Sequence, residues 1–189
     1  MLSRTRARLP LEVHDAVFTW VLQRLAERGL VKGERIGVDA STVEANAALR
    51  AIVRRDGGEG YREMLTRMAK ESGIETPTAE DLIRLDRKRQ GKTLSNAEWA
   101  SPTDPDARIA KLKDGRTHLA YQPEHALDLD TGAVVAAEMH AADRGDTATL
   151  PDTLESAARH LAAVEAAPSA EVPAEMVADK ILCRWPSAD

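Results

Sequence analysis

The chain has 189 residues, 43% hydrophobic and 30% charged, a length and composition that allow the packed core of one domain or of a domain with an insertion and argue against wholesale disorder. Aromatic residues make up only 3%, so Ala and Val must fill much of the interior, which argues against a base-stacking platform. The net charge of −5 is uneven: residues 1–49 sum to +1, residues 50–116 to +3 and residues 117–189 to −9, so a polyanion would meet the middle and the acidic last third calls for a cation or a partner.

Residues 9–30 read as an amphipathic helix with Leu11, Val17, Trp20, Val21, Leu25 and Leu30 on its apolar stripe, widened by Leu22 and Ala26 and stopped at Gly33. The short run Arg35-Ile36-Gly37-Val38 leads into Asp39, the pattern of a buried strand with a carboxylate at its C-terminal end. Residues 42–55 carry a helical pattern through Val43, Ala47, Ile52 and Val53, broken by Gly57-Gly58. Helices are expected from Tyr61 to Lys70 and from Ala79 to Arg89, followed by a loop rich in Pro and Asp, so residues 56–116 read as a polar helical insertion.

From Thr117 the pattern turns extended. Two strands, Thr117–Leu129 and Ala133–His140, meet at the turn Asp130-Thr131-Gly132 and predict a hairpin. An Ala-rich helix spans 147–166 with Leu150, Leu154, Ala158, Leu161 and Val164 on one face, and Pro168 ends it. Met176-Val177-Ala178 then form a short strand followed by Asp179. A hairpin together with a helical crossover favours an α/β fold with a mixed sheet.

No stretch approaches the ~18 uncharged apolar residues of a membrane span. Glu12, His14 and Asp15 interrupt any signal-peptide core. The single cysteine, Cys183, allows no internal disulfide, and a reducing cytoplasm is the expected location.

The leading constellation is Asp39 with Asp179. Each follows a short apolar strand, and a crossover helix would let those strands lie side by side. Two carboxylates at neighbouring strand ends repel and invite a hard divalent cation, Mg²⁺ or Mn²⁺, of the kind used in phosphodiester chemistry. The alternative is that both merely cap loops or helices. Asp128 and Asp130 read as turn residues, and His118, His125 and His140 as surface or packing histidines, because their spacing matches no closed zinc site. Glu44 reads as a solvated helix position.

The segments GVDASTVEANAALRAIVRRD and NAEWASPTDPDARIAKLKDGRTHLAYQPEHALDLDTGAVVAAEMHAADRGDTATLPDTL resemble the DDE-type transposases of bacterial insertion sequences, over residues 3–180. That resemblance implies a ribonuclease H-like core, a mixed sheet flanked by helices. It also implies an acidic triad binding two divalent cations for DNA cleavage and strand transfer. The family's first Asp falls on Asp39 and its second on Asp179, so these are the expected catalytic and metal-binding residues, with Mg²⁺ or Mn²⁺ as cofactor. The expected division is residues 1–33 as an N-terminal helical segment, 34–55 and 117–180 as an incomplete ribonuclease H-like core, 56–116 as the insertion and 181–189 as an aberrant tail.

The family's third carboxylate, a Glu on a later helix, has no counterpart, because no Glu follows Glu175. The chain is therefore read as a truncated transposase whose isolated form is inactive, or as a non-enzymatic remnant that binds DNA or a full-length transposase. A nuclease independent of the resemblance would need Glu138 or Asp143 near the two Asp. The expected partners are DNA (element ends and target) and either itself or a full-length transposase, with no membrane. Arg84, Arg87, Lys88, Arg89 and Lys92 are candidate phosphate contacts, against the plain alternative of a solvated cationic segment.

Overall fold

The computed structural model describes residues 8–90, 94–112, 115–165 and 175–178. In chain order the elements are α1 (Leu11–Ala26), β1 (Arg35–Ala40), β2 (Val43–Glu44), a 3₁₀ turn (Leu49–Ala51), β3 (Val53–Arg54), α2 (Tyr61–Glu71) and α3 (Ala79–Lys88). There follow β4 (Trp99–Ala100), β5 (Arg108–Lys111), β6 (Thr117–Asp128), β7 (Val134–Ala141), α4 (Asp146–Ala163) and β8 (Glu175–Ala178). Two compact units result, one from residues 1–41, 123–139 and 145–189, the other from residues 42–122 and 140–144. Among the described residues no helix is long and apolar enough to cross a membrane.

In the first unit β1 is the inner strand of a mixed sheet. It pairs antiparallel with β6, Ile36 opposite Asp128 through Ala40 opposite Glu124, and parallel with β8, Arg35 opposite Glu175 through Val38 opposite Ala178. β1 is an apolar run because Ile36 and Val38 face the core while Gly37, on the other face, is covered by the Leu129 side chain. β7 also pairs with β6. Their connection is the expected turn: Gly132, at φ 76°, donates its N–H to Asp128 O, and Asp128 N donates to Ala133 O. The core joins Ile36, Val38, Ala126, Val135 and Met176 of the sheet to Leu22 of α1 and Leu154, Ala157 and Leu161 of α4.

Only one side of the wide expected stripe of α1 docks, the side of Leu22, Leu25 and Ala26, joined by Phe18. Leu22 is 1% exposed and Phe18, Leu25 and Ala26 pack beside it, whereas Val17 and Trp20 are 55% and 57% exposed. The helix carries two apolar stripes, and polar anchors decide between them. Asp15 lies on the same side as Phe18 and Leu22 (spacings of three and four) and accepts hydrogen bonds from Arg159 and His160 of α4, which fixes the rotation of the helix. A stripe chosen on hydrophobicity alone leaves Asp15 in solvent.

The second unit has its own core, Ile52, Met64, Leu65, Ala69, Leu82, Trp99, Ala107, Ile109 and Leu119. Residues 56–116 fall within this unit; they are not the coreless polar insertion their composition suggests. Helices α2 and α3 form close to where expected. A capping box starts α3, Asp81 N donating to Thr78 Oγ1 and Thr78 N to the Asp81 carboxylate. The helix expected over 42–55 does not form. Val43 and Glu44 pair with Tyr121 and Ala120 of β6, Ala45 N donates to Leu119 O, and Val53-Arg54 pair with Ala100 and Trp99. Helix propensity for this Ala-rich stretch amounts to tenths of a kcal/mol per residue, and these ladder bonds and the burial of Ile52 outweigh it.

Candidate functional site

Asp39 is the fifth residue of β1 and is exposed. The strand preceding Asp179 is β8, and it lies directly beside β1 in parallel register, its last described rung being Val38 opposite Ala178. The two strand ends are therefore neighbours, as a shared site requires. Asp179 itself lies outside the described residues, as do Lys92, Cys183 and the 181–189 segment.

On its other side Asp39 sits opposite His125 of β6. Leu129 N donates to Arg35 O and Ser41 N to Pro123 O, which marks 35/129 and 41/123 as hydrogen-bonded pairs of this ladder. Such pairs recur every second residue, so Asp39 and His125 are one of them, with Cα atoms ~5.5 Å apart and both side chains on one face of the sheet. His125 is exposed too. The rungs on either side on that face, Gly37 with Leu127 and Ser41 with Pro123, bring no charge to the pair.

The opposite face holds a carboxylate that sequence reading missed. Glu124 pairs with Ala40 and is 1% exposed. Thr149 Oγ1 donates to Glu124 Oε1 at 3.1 Å and Thr153 Oγ1 donates to Oε2. A cavity of about 30 Å³, room for a single water, lies here among Val38, Ala40, Glu124, Asp146, Leu150 and Ala178. The available signal was a lone Glu inside an extended segment, together with two Thr four residues apart on the following helix, one turn on the same face. Because strand residues alternate, Glu124 points away from Asp39 and cannot complete a carboxylate cluster with it.

The other candidates have assigned roles. Asp128 is fully buried, and its carboxylate accepts from the backbone N–H groups of Lys32, Gly33 and Asp130 at 2.6–3.1 Å. Burial pushes its carboxyl up, but those donors together outweigh the effect and hold it below the usual range. Asp130 is a turn residue 3.5 Å from Arg35 Nη1. Glu44 pairs with His118 Nδ1 at 2.8 Å, and Asp143 lies 3.9 Å from Arg108. Arg159 and then His160 hold Asp15 below the usual carboxylate range. The two nitrogens of buried His160 lie 3.0 Å from Val135 O and 2.9 Å from Asp15 Oδ1. This histidine is an anchor between α1, α4 and β7.

On α3, Arg84, Arg87 and Lys88 are exposed, Arg84 lying 3.9 Å from Asp81. Arg89 is turned inward, donating to Tyr61 Oη at 3.2 Å and standing 3.6 Å from Asp86. Among the described residues no group of three or more His, Cys, Asp or Glu gathers where it could hold a metal ion. The donors at the end of β1 are Asp39 and His125. An exposed carboxylate and an adjacent imidazole suit a divalent cation as two of its ligands, and water or a phosphate oxygen would complete the shell. No family model matches the chain, and no curated protein or solved structure matches it either.

Proposed function

We propose that the chain is a transposase-derived protein with a ribonuclease H-like core, built for divalent-metal-dependent cleavage and joining of DNA, with Asp39 and Asp179 as the carboxylates. The carrying observation is the parallel pairing of β1 with β8, whose last described rung immediately precedes Asp39. A mixed sheet reached through the crossover helix α4 and flanked by helices supports the same reading. When bound, Mg²⁺ or Mn²⁺ would activate the attacking oxygen and stabilise the leaving one. Asp39 would hold that cation at an exposed strand end, where a phosphodiester backbone has access. Arg84, Arg87 and Lys88 offer solvent-facing cations for phosphate contacts.

A second reading, a non-enzymatic DNA- or transposase-binding protein, is favoured by the exposed Arg84, Arg87 and Lys88 of α3, which can meet phosphates without a metal. Removing one carboxylate from a two-metal site lowers the rate by orders of magnitude. Two assays on the purified chain separate the readings: anisotropy of a labelled duplex over a KCl series, and nicking of supercoiled plasmid with Mn²⁺. Cleavage lost in Asp39→Ala assigns the enzyme. Salt-sensitive binding without cleavage assigns the binding protein. Neither binding at low salt nor cleavage would overturn both, and cleavage that persists in Asp39→Ala would remove the site.

A further inference from the structure

We infer that His125 is a protein ligand beside Asp39, making this strand end a mixed nitrogen–oxygen site for a divalent transition cation such as Mn²⁺, in preference to Mg²⁺. The inference rests on the metal-binding part of the proposed function and adds a ligand to it. Four observations carry it. Register places Asp39 and His125 opposite one another in a hydrogen-bonded pair, so their side chains stand side by side on one face. Both residues are exposed at the end of β1, where an ion could reach them.

Neither side chain has a hydrogen bond or ion pair with another residue among the described residues. That distinguishes His125 from every other histidine of the chain. His118 is taken by Glu44 and His160 by Asp15 and Val135 O, while His14 and His140 have partners as well. Last, the rungs flanking the pair carry no cation to neutralise Asp39. A carboxylate without a counter-charge beside an imidazole without an acceptor, as these two are among the described residues, is an arrangement that a cation satisfies.

The chemistry sets the preference. Mg²⁺ takes oxygen ligands in a strict octahedron, whereas imidazole nitrogen raises affinity along the transition series from Mn²⁺ towards Zn²⁺. The carboxylate alone would bind Mg²⁺ and Mn²⁺ about equally and weakly; adding the ring nitrogen separates them.

The test is a Mn²⁺ titration of the whole chain followed by electron paramagnetic resonance, with Mg²⁺ as competitor, on wild type, His125→Ala and Asp39→Asn. Far-UV circular dichroism confirms that each variant is folded. The wild type is expected to retain Mn²⁺ against a several-fold excess of Mg²⁺. His125→Ala should weaken Mn²⁺ by about tenfold or more, while Mg²⁺ binding stays within about twofold because it rests on Asp39. In ¹⁵N-histidine-labelled protein, substoichiometric Mn²⁺ should broaden the His125 ring signals first, and should no longer do so in Asp39→Asn. Mn²⁺ bound equally by wild type and His125→Ala but lost in Asp39→Asn would overturn the role of His125 and leave Asp39 as a metal ligand. Failure of the wild type to bind Mn²⁺ at millimolar concentration would overturn both.

Discussion

Asp128 and Glu124 are two buried carboxylates on one strand, and they are stabilised differently. Asp128 is surrounded by backbone donors from the segment after α1 and from its own turn, so it ties residues 32 and 33 to the hairpin. The ionised form is the one these donors favour. Its contribution to stability is therefore complete above the unfolded carboxylate value, about pH 4, and is lost as pH falls through the lower folded value. We expect Asp128→Asn to cost about 2 kcal/mol at neutral pH, with the gap to wild type narrowing below about pH 4. Urea denaturation over a pH series measures this, and a gap that stays constant into acid would show that the charge is not what matters. Glu124 instead takes two hydroxyls from α4, which couples the helix to β6 through side chains alone.

Helix α1 carries the clearest contest between elements. The Phe18–Leu22–Leu25 face docks and the Val17–Trp20 face does not. Leu22→Ala should therefore cost about 3 kcal/mol, whereas Val17→Ser should stay within about 0.5 kcal/mol. Equilibrium unfolding of the two variants decides, and the reverse order would mean that the other stripe is buried in solution.

The same helix shows what was legible in the sequence. Local signals were enough for α1, α2, α3, α4, the hairpin and the two short strands β1 and β8, because each combines a clear period or a short apolar run with a turn, cap, breaker or charged residue at its ends. The choice of stripe was not legible, since it depends on Asp15 meeting residues 144 and 145 positions away. Nor were β2 and β3. Their Ala-rich surroundings favour helix, and only the ladder positions opposite Leu119–Tyr121 and Trp99–Ala100 override that preference. At the candidate site, the strand ends could be read from apolar runs that stop at Asp. The pairing of Asp39 with His125 could not, because register between residues 86 positions apart leaves no local trace.

Across the whole molecule, the two hydrophobic clusters have no residue in common, although β6 contributes Ala126 to one and Leu119 to the other. Ile52→Ala, a truncation at a fully buried position expected to cost about 3 kcal/mol, should accelerate amide exchange in α2 and α3. The slowest amides of β1 and α4 should keep their rates. Hydrogen-exchange mass spectrometry reads this by segment, and equal acceleration everywhere would mean that the chain opens as one cooperative body.

The parallel pairing of β1 with β8 also constrains the time course of biogenesis. Arg35 meets Glu175, 140 positions later, an interval of roughly 10–30 s at ribosomal elongation rates. Throughout that interval one edge of the nascent inner strand has no mate, so this contact of high sequence separation forms late, and the newborn polypeptide presents a sticky ribbon that a chaperone would be needed to shield.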